Sequence, residues 1–294
     1  MTTNLKVQDH HLIQFTRNIE LLLQQKKARL EEAVTTGHYQ GDKAQAVVQF
    51  GEVDMSAIAA GEAAGQWLGN TVWSDIAHHQ RWVFPSDFAL SLPLSRQDQV
   101  RMLGDPRSPY AEAIRAAYAR KVDDVLIEAA RGIAKTGKYD DLKDTAFPAT
   151  QVIDDATGLS IEKLIDAKEL LIAAGNDPDE ERFFACSEKQ LGDLLKSVKV
   201  QSADYNTIRA LVKGEVDSFV GFKFISTERL KATSGKRHCL AWVKSGLHLG
   251  IWDALNIKAD VRPDKNYVWQ IYARASIGAT RTQEKKIVQI NCSE

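Results

Sequence analysis

Residues 109–137, PYAEAIRAAYARKVDDVLIEAARGIAKTG, carry the strongest helical pattern in this sequence of 294 residues. Ser108 and Pro109 supply a favoured N-cap and a favoured first-turn residue, while Lys135 and Gly137 are typical of a helix end. The pattern predicts a helix about 42 Å long, at 1.5 Å per residue, that packs flat against a sheet or a partner helix. Its apolar stripe recurs at three- and four-residue steps. The stripe consists of Ile114, Tyr118, Val122, Val125, Ala129 and Ile133.

The chain before this helix divides into a half-polar stretch and a glycine-rich stretch. Residues 9–34 predict a helix with Asp9 as its N-cap, and the QQKKAR sequence interrupts its apolar stripe, as expected of an arm lying on a surface. Residues 37–84 hold six of the 18 glycines and no proline. Two extended runs in this span, AVVQFGEV and QWLGNTVW, predict a long β-hairpin.

The predicted hairpin carries four large aromatic side chains. A two-stranded hairpin alone is marginally stable in water, so this aromatic surface needs a cover. Either the rest of the same chain or a neighbouring subunit supplies it. We take the second alternative as the candidate interface, formed by Phe50, Trp67, Trp73 and Trp82.

The remaining segments predict a connector, an α/β unit and two closing strands. Residues 85–109 contain four of the seven prolines and predict an irregular connector with one short helix near SRQDQVRML. The KYDDLKDTAFPAT sequence predicts a polar link. Residues 150–250 alternate strands (RFFAC, FVGFKFIS, LAWVKSGLHLGIW) with helices at 160–174 and 187–197, a pattern typical of a compact α/β domain. Residues 267–294 predict two strands joined by a charged turn.

Composition excludes several classes of protein. The formal net charge is −1, which argues against a protein whose task is to neutralise nucleic acid. Cys186, Cys239 and Cys292 are far apart and odd in number, so we expect neither a disulfide framework nor a zinc site. No signal-peptide pattern opens the sequence, and no apolar run approaches the roughly 18 residues of a membrane span.

No catalytic, cofactor-binding or metal-binding residue is predicted. The sequence lacks GxxxxGK[ST], GxGxxG after a strand, GxSxG and HExxH. The pairs His10-His11 and His78-His79 are adjacent in sequence and point in different directions, which does not form a chelate. In His238-Cys239 the cysteine begins an apolar run and is expected to be buried and structural. The pairs Asp123-Asp124 and Asp140-Asp141 are expected to be solvated charges.

The order of the parts carries a family resemblance. An arm helix, a long hairpin, a long helix, an α/β domain and closing strands together resemble the major capsid protein of tailed bacteriophages, which has the Hong Kong 97 fold. Stretches similar to its short-chain branch are RWVFPSDF, the long helix quoted above, DYNTIRALVKGEVDSFVGFKFISTERL, KSGLHLGIWD and GATRTQEKKIVQI. The resemblance covers nearly the whole chain.

The resemblance implies an α+β fold with four parts. Residues 1–36 would be the N-arm and 37–84 the extended loop that lies over a neighbouring subunit. Residues 85–149 and 251–294 would form the peripheral domain, in which the closing strands lie under a spine helix of residues 109–136. Residues 150–250 would form the axial domain around the capsomer centres.

The resemblance also implies partners. The chain would assemble with itself into hexamers and pentamers of an icosahedral shell, in the host cytoplasm and then in the virion, around double-stranded DNA bound without sequence specificity. A portal protein and a decoration or cement protein are further expected partners, and no membrane is. Only about 36 residues precede the hairpin, so we expect a separate scaffolding protein and no proteolytic maturation. Nothing pairs Lys43 with Asn70, so we expect a shell without covalent cross-links.

Two other functions stay open at this point. An encapsulin-like cellular nanocompartment shares the fold and encloses cargo enzymes. An α/β enzyme whose site forms only in three dimensions would show a deep pocket with convergent polar groups.

Overall fold

A computed structural model describes residues 24–42, 44–50, 76, 78–94, 107–138, 141–197 and 218–294. Three α-helices form within these ranges. They are α1 (Arg107–Arg131), α2 (Ile161–Ala173) and α3 (Glu188–Ser197).

The strands of the described ranges form three sheets. The long sheet has the order β1-β13-β14-β4, and its strands are β1 (Thr35–His38), β4 (Ser86–Leu94), β13 (Leu247–Arg262) and β14 (Val268–Arg281). The small sheet has the order β2-β3-β5-β6, with β2 (Ala44–Phe50), β3 (His78–Val83), β5 (Ala134–Lys138) and β6 (Asp141–Thr145). The central sheet has the order β7-β15-β12-β8-β10-β9, with β11 beside β12. Its strands are β7 (Val152–Asp154), β8 (Arg182–Cys186), β9 (Ser218–Phe219), β10 (Phe222–Ser226), β11 (Ala232–Thr233), β12 (Lys236–Val243) and β15 (Ile287–Ser293).

The long helix is confirmed, but its predicted C-terminus is wrong. Helix α1 ends at Arg131, and residues 134–138 form a strand that pairs with β3 and β6. Ile133 is 64% exposed and so leaves the apolar stripe. Gly137 has φ +108°, and a Cβ there would lie 2.4 Å from the carbonyl oxygen of Asp141. The glycine therefore permits a close approach of β5 to β6 instead of ending a helix.

The two closing strands separate into different sheets, which corrects the prediction that both lie under the helix. Strand β14 pairs with β13 and β4 in the long sheet, whereas β15 pairs with β12 and β7 in the central sheet. A short 3-10 turn at Glu284–Lys286 separates them. Residues 287–292 are buried on both faces, as in a strand enclosed from two sides.

The LAWVKSGLHLGIW sequence likewise forms two strands. Strand β12 ends at Val243, a 3-10 turn follows at Lys244–Gly246, and β13 begins at Leu247 in the other sheet. This crossing and the one after β14 join the central and long sheets into one body.

Three further predictions fall on the amino-terminal half. Within residues 9–34 the predicted arm helix is wrong where the structure describes it, because residues 24–30 are irregular and only a 3-10 turn forms at Glu31–Ala33. The predicted connector contains β4, and the polar link contains β6. The part of the arm before residue 24 and the short helix near SRQDQVRML lie outside the described residues.

The local signals of the α/β unit are confirmed except for FVGFKFIS, which forms two antiparallel strands, β9 and β10, joined by a turn at Val220 and Gly221. Ser160 caps α2, its side chain accepting the backbone N–H of Lys163. The side chains of Ser187 and Gln190 hydrogen-bond at the start of α3, and the Gln190 amide oxygen also accepts the backbone N–H of Ser187. The RFFAC sequence is strand β8, buried at every position.

The core lies between α1, the central sheet and α2. Trp242 is fully buried there, and its indole N–H donates to the carbonyl oxygen of Ala33 at 2.9 Å. A smaller cluster joins Ile114 of α1 to Ile271 and Ala273 of β14. Helix α1 therefore packs on the central core with one half and on the long sheet with the other.

Gly278 offers a first test of this packing. A Cβ at this position of β14 would lie 2.0 Å from the carbonyl oxygen of Phe84, which real contacts do not allow. We expect Gly278→Ala to lower the free energy of unfolding by about 1–3 kcal/mol or more, as for overpacked sites. Gly192→Ala is the control, because nothing lies within 4 Å of a Cβ there and alanine favours the helix. Equal free energies of unfolding for the two variants, measured by chemical denaturation, would contradict this packing.

Candidate functional site

The described residues show no assembled reactive centre. No group of three or more His, Cys, Asp or Glu side chains in these ranges is placed to hold a metal ion. Nor does any helix there have the length and apolarity needed to cross a bilayer. His78 and His79 lie on β3 and are exposed, while His10 and His11 fall outside the described residues.

The three cysteines meet in the central sheet. Cys239 lies on β12, which pairs with β8, the strand of Cys186, and with β15, the strand of Cys292. All three are free thiols and fully buried. Burial raises the pKa of Cys186, which keeps that thiol protonated and unreactive. The predicted structural role of Cys239 is confirmed.

A buried carboxylate fastens the amino-terminal segment to α1. Asp123 is fully buried, and its oxygens accept the backbone N–H groups of Arg29 and Leu30 at 3.0 Å. The side-chain amide of Gln25 donates to the same carboxylate, and Arg120, one turn earlier, donates to the carbonyl oxygen of Gln25 at 3.1 Å. We call residues Gln25, Arg29, Leu30, Arg120 and Asp123 the arm anchor.

The prediction of solvated charge is therefore wrong for Asp123-Asp124. Asp123 binds backbone amides that would otherwise be orphaned, because residues 24–30 form no regular structure of their own. Asp124 is half-buried and accepts two hydrogen bonds from the guanidinium of Arg229, the first at 2.6 Å. The pair thus connects α1 to the arm on one side and to the segment after β10 on the other.

A second set of hydrogen bonds joins β1 and Tyr39 to β13 within the long sheet. The hydroxyl of Thr35 donates to the carbonyl oxygen of Leu247, so Nδ1 of His248 must donate to Thr35 at 2.9 Å. Nε2 of His248 then accepts the hydroxyl of Tyr39 at 2.7 Å. Burial lowers the pKa of His248 and favours this neutral ring.

The base of the hairpin is clamped by charged and aromatic side chains. Strands β2 and β3 pair antiparallel, with Ala44 opposite Val83. The indole N–H of Trp82 donates to the carbonyl oxygen of Gly137 at 2.8 Å. Arg81 is buried and places Nη2 at 2.9 Å from the carboxylate of Glu284. The hairpin is thus held at its base by β5 and by the turn before β15.

Arg281 lies fully buried beneath this clamp. Its Nη1 donates to the carbonyl oxygens of Ala130 and Gly132, at 3.2 and 2.9 Å, and its Nη2 donates to that of Thr145 at 3.0 Å. Glu284 lies 3.6 Å from its Nε. Burial lowers the pKa of Arg281, yet a guanidinium remains charged. One side chain therefore joins the end of α1, the small sheet and the long sheet.

The model of a protein family described as phage capsid protein matches residues 7–294. The chain belongs to this family. Among curated proteins, none matches the sequence at a significant level.

Solved structures show that the fold of this capsid protein is of the Hong Kong 97 type. It is similar to the capsid of Cyanophage P-SCSP1u, with a TM-score of 0.70 and 15% identity over 97% of this chain and 93% of that chain. The capsid of Ralstonia phage GP4 gives a TM-score of 0.72 at 10% identity, over 96% and 94%. The capsid of a native gene transfer agent (GTA) particle gives 0.68 at 15% identity and covers 100% of both chains.

Of the four predicted interface residues, one side chain is buried in the capsid protein's own core, and the structure does not describe the other three. Trp82 is only 8% exposed and is covered by its own chain, the first of the two alternatives that the sequence left open. The side chain of Phe50 and all of Trp67 and Trp73 lie outside what the structure describes, as do Lys43 and Asn70.

Sequence reasoning missed the residues that fasten the capsid protein's extensions. The most distant hydrogen-bond partners of Asp123, Arg281 and His248 lie 98, 151 and 213 positions away in the sequence, so no local pattern marks these three residues. One signal was present for Asp123. It adjoins the apolar stripe at Val122 and so cannot lie wholly on the polar face of the helix.

Proposed function

We propose that this chain is the major capsid protein of a tailed phage and that it assembles into the hexamers and pentamers of an icosahedral head. The family match over residues 7–294 carries the proposal. The arm anchor and the base of the hairpin support it, because they fix the amino-terminal arm and the hairpin to the folded core. Held in this way, the two extensions can contact neighbouring subunits in defined positions.

The proposed division of labour follows the domains of the fold. Residues 1–36 act as the N-arm, 37–84 as the extended loop, 85–149 with 251–294 as the peripheral domain and 150–250 as the axial domain. Strand β15 completes the sheet of the axial domain from outside that range. Within the extended loop, Phe50, Trp67 and Trp73 contact a neighbouring subunit.

The proposed partners are other products of the same phage. A separate scaffolding protein directs assembly in the host cytoplasm, a portal protein occupies one vertex, and a decoration or cement protein binds the outside. The finished shell encloses double-stranded DNA in the virion. The protein acts as a structural component and not as an enzyme.

Electron microscopy tests the proposal. We expect the fast-sedimenting fraction from bacteria that express the chain with its candidate scaffolding gene to contain hollow polyhedral shells, or sheets and tubes of hexamers. The matched control is the same preparation without the scaffolding gene. A small, uniform monomer under both conditions would overturn the proposal.

A further inference from the structure

An open cleft of about 530 Å³ separates the arm from the end of β10. One wall is formed by residues 25–29, which the arm anchor holds against α1. The other wall is formed by Phe224, Ile225 and Ser226. We call this feature the arm cleft.

Three exposed cations line the arm cleft, Lys26, Lys27 and Arg29. The arm anchor uses the backbone N–H of Arg29 and the side chain of Gln25, so it leaves these three side chains available. None of the three forms an ion pair within the part of the chain that the structure describes. Glu32 is the one carboxylate among the described lining residues, so the cleft carries a local excess of positive charge.

Three cations on the neighbouring elements are paired with carboxylates, and Arg120 donates to Gln24 and to the carbonyl oxygen of Gln25. Lys223 binds Glu181, and Lys231 lies 3.7 Å from Glu128. Arg229 binds Asp124, as described above. Among the described residues around the cleft, Lys26, Lys27 and Arg29 therefore differ from these cations in having no carboxylate partner.

We propose that the arm cleft binds phosphates of packaged double-stranded DNA, so that this face lines the interior of the shell. The inference rests on the proposed function and assigns its DNA-facing surface. Three cations on four extended residues span at most about 10 Å. Double-stranded DNA presents one charge per about 1.7 Å of axis, so several phosphates fall within that reach. The interaction is electrostatic and independent of base sequence, which accords with a chain of net charge −1 that carries only a local basic strip.

The first experiment measures DNA binding by the purified, unassembled full chain. We expect the triple variant K26Q, K27Q and R29Q to bind a double-stranded DNA fragment at least ten-fold more weakly at low salt. Each phosphate contact contributes about 0.9 to the slope of log affinity against log salt, so the slope should fall by up to about 2.7. The matched control is K258Q, K265Q and K285Q, which removes the same charge from exposed positions elsewhere. Equal affinity and slope in the two triple variants would overturn the proposal.

The second experiment tests directly whether the arm cleft lies on the inner surface of the shell. The native cysteines are buried, so a Lys27→Cys variant presents one reactive thiol on the described surface. A maleimide carrying a polymer too large to enter closed shells should label this thiol in dissociated protein and not in intact particles. Labelling of intact particles at the same rate would place the cleft outside and overturn the inference.

Shell formation, scored by microscopy on the same samples, separates this inference from the proposed function. If the wild type forms shells and the triple variant K26Q, K27Q and R29Q binds DNA as the wild type does, only the proposed DNA-binding role of the arm cleft is contradicted. If the wild type forms no shells, the proposed capsid function is contradicted. An arm variant that binds DNA normally but no longer assembles with the scaffolding protein would show that the cleft binds an acidic protein segment instead.

Discussion

Replacing Asp123 by alanine is expected to release the amino-terminal segment from helix α1 and to abolish shell assembly. The carboxylate accepts the backbone N–H groups of Arg29 and Leu30 and the side-chain amide of Gln25. Alanine leaves these donors without an acceptor, and Leu30 is only 2% exposed, so water does not replace the lost bond there. The arm would then adopt many orientations relative to its own subunit, so a neighbouring subunit could no longer bind it in a single position.

The thermodynamic cost follows from the buried donors. At about 1–3 kcal/mol for each donor left unsatisfied, we expect the free energy of unfolding to fall by about 2–4 kcal/mol. That corresponds to a decrease in Tm of roughly 3–6 °C for a chain of this size. The free energy of unfolding of Asp123→Asn should lie between those of the wild type and Asp123→Ala, because an amide keeps one acceptor oxygen and adds a donor that the site cannot use.

Proteolysis and microscopy check the same variant. Trypsin should cut after Lys26, Lys27 and Arg29 at least ten-fold faster in Asp123→Ala than in the wild type. Glu112→Ala is the matched control, since it removes an exposed carboxylate from the same helix. Wild-type cleavage rates together with normal shells in Asp123→Ala would show that the arm anchor has no part in assembly.

Sequence reasoning was most successful where a few neighbouring residues fix the structure. The starts of α2 and α3 could be predicted because their hydrogen bonds act within three residues: the Ser160 side chain accepts the N–H of Lys163, and the Gln190 side chain accepts the N–H of Ser187. The succession of a long helix, a unit of alternating strands and helices and two closing strands could also be predicted, because each of these elements has its own local pattern.

The errors occurred where a distant partner decides the local structure. Gly137 has the features of a helix C-cap, yet β6 draws residues 134–138 into a strand. The closing strands have the appearance of one hairpin, yet β15 takes its place between β12 and β7, segments more than 40 and 130 residues earlier in the chain. Strand pairing is specified by surfaces that the fold brings together, and a single sequence does not reveal those surfaces.

The candidate site shows the same division. Trp82 was identified as one of a group of aromatic side chains that need a cover, because a large exposed apolar patch is uncommon on a folded protein. The hydrogen-bond acceptor of its indole N–H, the carbonyl oxygen of Gly137, was not predictable, because the sequence pattern around that glycine indicates a helix end. The family resemblance could be recognised all the same, because it rests on the order of the elements along the chain.

Arg281→Met is expected to have the second large effect, on the stability of the subunit itself. Methionine fills a similar volume but donates no hydrogen bond, so the carbonyl oxygens of Ala130, Gly132 and Thr145 lose their donor inside the core. Glu284 also loses one of its two cationic neighbours. Removing one partner from a buried charged network costs about 3–5 kcal/mol, which would leave little of the stability typical of a folded domain.

Two further variants distinguish the role of Arg281 from a general sensitivity of the protein. Arg281→Lys keeps the charge but not the planar fork that reaches several carbonyls at once, so we expect an intermediate midpoint in urea. Arg262→Met removes an exposed arginine whose hydrogen bond holds the pKa of Asp264 at about 2, and it should leave the midpoint nearly unchanged. If Arg281→Met unfolds at the same urea concentration as Arg262→Met, the three carbonyls do not depend on Arg281. The joint between helix α1, the small sheet and the long sheet must then be held by the apolar contacts alone.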